Sequence, residues 1–376
     1  MQPPPTTRLP SLDGWRGFGM LHVLTTHSTI VPGFPAALVP FVHWLVDGEL
    51  GVRTFFLLSG FLITRLLIVE AETTGRISLS RFYLRRALRI LPVYVAFVAT
   101  LIWLATFTPY RQTTAAWIGN LTFTTNFVPF SKLNWTSGHL WSLAVEEQFY
   151  FVWPVLFWFC GVARDRRASW WILAVPLVVA PLWRYLTWMT AAPQTMPYLF
   201  QGFATFNFFD SIAMGCLCAL VYARGTDRLG RLLTARPAVT ALTGALLVLI
   251  PHVLTRAMLL RIVTTPFGHT MQAMGMGILV MQSVFVPAKG FYRILNWPIM
   301  IGLGVTSYSV YIWQQIFSTR PLLLGLRREW WMTFPGWLVP VLAVGLISYF
   351  VLERPFIRLR ARFRHGATVD ASRVSV

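Results

Sequence analysis

Apolar residues gather along this chain in windows of about 20 positions, the length an α-helix needs to cross the hydrocarbon core of a bilayer. Ten windows are predicted as helices, at residues 14–31, 44–68, 87–107, 140–162, 170–190, 203–222, 237–254, 268–286, 299–319 and 334–352. The ninth is the most interrupted, by Tyr308, Ser309, Gln314 and Gln315. No internal repeat is visible, and the one low-complexity piece is Pro3-Pro4-Pro5. The longest polar stretch, Pro109 to Gly138, falls short of domain size. The expected fold is all-α: a polytopic integral membrane protein of about ten transmembrane helices, one domain over 1–376 with short tails at about 1–13 and 354–376.

Composition agrees with that pattern. Hydrophobic residues make up 56% of the chain and charged residues 12%, with a mean hydropathy of +0.59, more than one leader or anchor accounts for. No small-residue cleavage site follows a short apolar core near the amino terminus, so the first span is expected to be retained. The net charge of +19 comes from basic residues that flank apolar spans rather than from one soluble patch, which argues against nucleic acid as a partner. With the amino terminus inside, 23 basic residues lie on inner segments and 8 on outer ones, Arg53 falling within the second span. Both termini are therefore predicted cytoplasmic. Cys160, Cys216 and Cys218 stand in apolar helical contexts, and neither a metal nor a disulfide is expected of them.

The first span carries the costliest residues. Arg16 and His27 are eleven positions apart, close to three helical turns, so they share a face about 16 Å apart along the axis. A cation at the membrane surface and an imidazole at depth outline a reaction path across a bilayer. His22 projects from another face and reads as structural.

Three further runs stand out. In Gly51 to Thr64, small Ser59 and Gly60 sit between large aromatics and admit either another helix or a thin ligand chain. Arg81, Arg85, Arg86 and Arg89 precede Pro92, with Arg86 and Arg89 on one face; they suit a stop-transfer anchor or a phosphate clamp. Leu140 to Tyr150 holds adjacent Glu146 and Glu147 inside a span. Intramembrane carboxylates point to function, the alternative being a structural partner for Arg53. Asp210 reads as half of a structural ion pair.

These runs, in order, carry a resemblance. Asp13-Gly14-Trp15-Arg16-Gly17 with its step to His27, the Gly51–Thr64 run, the Arg81–Pro92 block, Leu140–Tyr150, Ser307-Tyr308-Ser309-Val310-Tyr311-Ile312-Trp313 and Glu353-Arg354-Pro355 occur in the order seen in the acyltransferase 3 family. The chain resembles these membrane O-acyltransferases over nearly its whole length. The resemblance implies transfer of acetyl or another short acyl group from acyl-CoA to an envelope or secreted glycan. It implies that His27 is the essential histidine, Arg16 its basic partner, and Arg86 and Arg89 the arginine pair of the third helix. Two positions depart from the family pattern: Arg53 stands where aspartate is common, and Gln314 where histidine is often found.

The expected mechanism follows. Acyl-CoA, a substrate rather than a resident cofactor, docks its nucleotide on Arg16, Arg85, Arg86 and Arg89 at the inner face and threads its arm past Ser59, bringing the thioester near His27. His27 acts as general base or is transiently acylated, and either role needs an unprotonated ring nitrogen. Glu147, in preference to Glu146, is expected to orient the ring. His139 and Trp141 at the outer mouth, with Glu146, are read as contacts for the sugar, while Asn120, Asn126 and Asn134 read as ordinary loop polarity. The expected partners are acyl-CoA, a glycan acceptor and the bilayer of the cytoplasmic (inner) membrane. The alternative function is a multi-span exporter, against which stands the concentration of polar residues near the ends of few helices.

Overall fold

The computed structural model describes residues 9–162, 166–190, 205–286, 290–318 and 329–361. Pro3–Pro5, Arg320, Arg327, Arg328 and the tail beyond 361 lie outside the described residues. Among those described there is no strand. The helices are α1 (Pro10–Ser28), α2 (Val39–Leu45), α3 (Gly48–Thr74), α4 (Leu79–Phe107), α5 (Thr114–Thr122), α6 (Trp135–Gly138), α7 (Leu140–Phe159), α8 (Arg166–Thr190), α9 (Phe209–Ala235), α10 (Pro237–Arg256), α11 (Arg261–Phe285), α12 (Tyr292–Leu295), α13 (Pro298–Phe317), α14 (Leu338–Ser348) and α15 (Arg354–Ala361). A π-helical turn, Tyr349–Glu353, joins the last two.

Local chemistry sets the helix ends. Pro10 opens α1 at a position whose backbone N–H would have no partner, and Asp47 caps α3 by accepting from Glu49 N at 2.9 Å. Gly75 closes α3 in the left-handed region, φ 69°, which glycine adopts without strain.

Within the described residues, each of the ten apolar windows overlaps at least one helix, though several run past a helix end or across two elements. Among the described residues, five segments are long and apolar enough to cross a membrane: Ala36–Thr74, Leu79–Phe107, Trp171–Met189, Pro237–Arg256 and Leu338–Leu359. Helices α1, α7, α9, α11 and α13 fall outside this set, which is drawn by length and apolar composition alone. Val95, Ile102 and Trp103 on α4, Val178 and Leu182 on α8 and Leu246 and Leu249 on α10 are exposed, a lipid-facing exterior of the kind a membrane protein requires.

Helix α3 lies at the centre, packed on α1, α7, α9 and α11; α1 is held between α3 and α13, and α13 also meets α4 and α14. The crossings are close where glycines meet. A Cβ on Gly304 would collide with the Asp13 carbonyl, and one on Gly60 with the carbonyl of Ile212. Gly60 therefore admits helix α9, not a ligand chain.

Arg184 and Asp210 form the expected ion pair at 2.7 Å. Arg184 also donates to the carbonyls of Pro266 and Asn207, at 2.9 and 2.7 Å, so one buried guanidinium fastens α8, α9 and α11. Arg184, assigned by the charge count to an outer segment, is thus part of the interior. Arg53 pairs with Asp47 at 3.2 Å and Glu49 at 3.0 Å, and is no partner of the α7 carboxylates.

Candidate functional site

Five helices enclose a cavity of about 90 Å³. Arg16 enters from α1, Ser59 from α3, Arg86 and Arg89 from α4, Glu146 and Tyr150 from α7, and Tyr308 and Tyr311 from α13. The spacing of three between Arg86 and Arg89 puts both on the same face of α4, opposite Arg16. Three guanidiniums and one carboxylate leave the chamber net positive, suited to a phosphate-bearing ligand.

The carboxylate is held firmly. Ser59 Oγ donates to Glu146 Oε1 at 2.9 Å, while the Tyr150 hydroxyl stands 3.0 Å from Oε2 and 2.8 Å from Ser59 Oγ. The Arg86 guanidinium lies over the Tyr150 ring, 3.8 Å from its centroid. Ser59 and Glu146 thus face the cavity, but Glu147 does not. Adjacent helical positions point about 100° apart, and of this pair Glu146 points inward.

His27 stands near the end of α1, and its Nδ1 is 2.7 Å from Gln314 Oε1 on α13. The edge of its ring meets Trp135, with centroids 5.1 Å apart. The expectation that Glu147 or Glu146 orients this ring is corrected: the partner is Gln314. Tyr311 lines the cavity and is three residues before Gln314 on α13, while neither Gln314 nor His27 is among the lining residues. Between them the Tyr311 hydroxyl is 2.6 Å from Ser142 Oγ and donates to the His139 carbonyl at 3.2 Å.

Three other expected positions lie elsewhere. His139 is 2% exposed; its Nδ1 meets Gln315 Oε1 at 2.8 Å and its Nε2 meets the Ile312 carbonyl at 3.0 Å, so the ring is not presented to a sugar. Trp141 is buried against Phe56 and Phe208. Arg85 is paired with Glu70 at 2.7 Å and is not part of the cavity wall. Each was read from its place along the chain, which says nothing of a partner arriving from another helix.

The structural readings fare differently. His22 bonds the Phe18 carbonyl through Nδ1 at 3.1 Å, on its own face of α1. Asn126 donates to Thr205 at 2.8 Å, Asn134 caps α6, and Asn120 accepts from Thr125 at 2.9 Å; all three build the loop. Two quoted motifs meet where Ser309 Oγ donates to Glu353 Oε2 at 2.8 Å. Tyr150 was missed as a site residue, although its place four positions after Glu146 was a usable signal.

A family profile described as an acyltransferase domain matches residues 9–354. OatA, a peptidoglycan O-acetyltransferase of Listeria monocytogenes, is 26% identical over 369 residues, covering 92% of this chain and 55% of that protein. YrhL, a putative peptidoglycan O-acetyltransferase of Bacillus subtilis, is 28% identical over 373 residues, with 92% and 54% covered. A putative O-acetyltransferase of Staphylococcus aureus is 34% identical over 159 residues, 39% of this chain and 24% of its own length. The chain spans about half the length of the first two relatives.

Proposed function

The chain belongs to the acyltransferase 3 family, and on that premise we propose that it transfers an acetyl group from acetyl-CoA to a hydroxyl of a cell-surface glycan. The relatives named for peptidoglycan favour a cell-wall acceptor. In this reading the whole chain, 1–376, is one catalytic domain of about ten spans in the cytoplasmic membrane, with both termini inside.

The observation that carries the reading is the convergence of Arg16, Arg86 and Arg89 on one cavity whose wall includes Tyr311, three residues before His27's partner Gln314 on α13. Donor phosphates bind the guanidiniums at the inner end, and the thioester arm extends past Ser59 towards His27. Nε2 of His27 takes the proton of the acceptor hydroxyl, whose oxygen adds to the thioester carbonyl. The tetrahedral oxyanion collapses with loss of the CoA thiolate, which recovers the proton from the ring. Arg85, His139 and Trp141 are left out of this scheme because their side chains are engaged elsewhere.

The test is transfer of labelled acetyl from acetyl-CoA into a glycan extract by purified protein in liposomes. His27→Ala should abolish transfer, and Arg16→Ala should chiefly raise the KM for acetyl-CoA. Wild-type transfer by His27→Ala would remove the catalytic assignment.

A further inference from the structure

Gln314 is fully buried, and its two polar ends have unequal fates. Oε1 lies 2.7 Å from His27 Nδ1, whereas the amide Nε2 is buried and has no hydrogen-bond partner among the described residues. An unpaired buried amide costs about 1–3 kcal/mol, and a glutamine that served packing alone would leave no reason to keep one beside an imidazole. The next residue, Gln315, shows the contrast: its Oε1 accepts from the His139 backbone N–H at 3.0 Å and meets that ring as well, in a fully enclosed setting. Two adjacent glutamines each hold a histidine through Oε1, and of the two it is Gln314 whose amide Nε2 is fully buried without a hydrogen-bond partner among the described residues.

We propose that Gln314 is the positioning residue for His27 and that its free N–H is kept for the carbonyl oxygen of the acyl group undergoing transfer. This rests on His27 acting as the base. Oε1 accepts the Nδ1 proton, which places the ring lone pair on Nε2, the nitrogen that takes the hydroxyl proton. As the acceptor oxygen bonds to the thioester carbon, negative charge gathers on the carbonyl oxygen, and the amide N–H donates to it. When the carbon–sulfur bond breaks, the oxyanion's electron pair re-forms the carbonyl, the bonding pair leaves on sulfur, and the departing thiolate takes the proton from Nε2. Atoms and charge balance without a further reactant.

Two near-isosteric variants separate the two ends. Gln314→Met removes both, and kcat should fall on the order of 10²-fold with the KM for acetyl-CoA nearly unchanged. Gln314→Glu keeps an acceptor for Nδ1–H but no amide donor, and should fall between wild type and Gln314→Met. ¹⁵N NMR of the His27 ring should show the proton on Nδ1 in wild type and in Gln314→Glu, and lose that preference in Gln314→Met. Wild-type kcat in Gln314→Met, or an unchanged ring tautomer, overturns the positioning role. Wild-type kcat in Gln314→Glu overturns the donor role. His27→Ala is run beside them: if it is inactive while Gln314→Met is fully active, only Gln314 falls, whereas an active His27→Ala removes the base itself.

Discussion

Ser59 Oγ donates to Oε1 of Glu146 at 2.9 Å, tying α3 to α7 at the wall of the cavity. Glu146 is the one carboxylate among the residues lining the cavity with Arg16, Arg86 and Arg89, and its neighbour Glu147 is not among them. Glu146→Gln should therefore change the KM for acetyl-CoA by several-fold, on the scale of one charge-assisted hydrogen bond. Glu147→Gln should leave that KM at its wild-type value. Steady-state titration of acetyl-CoA against both variants decides the matter.

The arginines divide in the same way. Arg86→Ala removes a guanidinium from the cavity and should raise the KM for acetyl-CoA about tenfold or more, equivalent to about 1.5–3 kcal/mol of charge-assisted bonding. Arg85→Ala should leave KM alone and lower thermal stability, since Glu70 loses the guanidinium 2.7 Å away. A raised KM for Arg85→Ala, with unchanged melting, would return that residue to the donor site.

Arg184 and Asp210 predict a stability effect without a kinetic one. Arg184→Met leaves a fully buried carboxylate and should destabilise the protein by about 3–5 kcal/mol. The double change Arg184→Met with Asp210→Leu should recover part of that loss. Thermal unfolding in detergent micelles, on the two single variants and the double, measures the coupling.

Two neighbouring glycines of α13 give a sharp contrast. A Cβ on Gly304 would collide with the Asp13 carbonyl of α1, whereas one on Gly302 meets nothing within 4 Å. Gly304→Ala should push α1 from α13, disturb the pairing of His27 with Gln314 and reduce both stability and turnover. Gly302→Ala should be silent. The comparison needs only melting curves and the acetyl-transfer assay.

Tyr110 lies in the loop after α4, 1% exposed, with its hydroxyl donating to Gln112 Oε1 at 2.6 Å. Burial pushes this hydroxyl up to about 12. Between pH 10 and 12 the unfolded chain loses this proton while the folded one keeps it, so stability falls with rising pH, by about 2–3 kcal/mol over that interval. Melting temperature against pH should show a shallower alkaline decline in Tyr110→Phe than in wild type. Parallel curves would show that Tyr110 contributes nothing to the decline.

Local repetition in the chain determined a great deal. Windows of about 20 apolar residues fall on helices because backbone hydrogen bonds must be met within each segment when lipid surrounds it. The order of the motifs determined the family. The spacing of Arg86 and Arg89 determined that they act together, because helical period is a property of neighbouring residues. A buried acid such as Asp210 implied a partner, since an unpaired charge is too costly in the interior.

Only the tertiary structure decided which partners meet. His27 and Gln314 are 287 positions apart, and His139 and Gln315 are 176 apart, so no spacing rule couples them. Glu146 and Glu147 are alike in the sequence, and the rotation of α7 against α3 and α4 separates them. Ser59 and Gly60 are equally small, yet one faces the cavity and the other meets the backbone of α9. In each case the choice comes from the packing of distant helices, and that packing is set by the sum of many contacts rather than by any local run of residues.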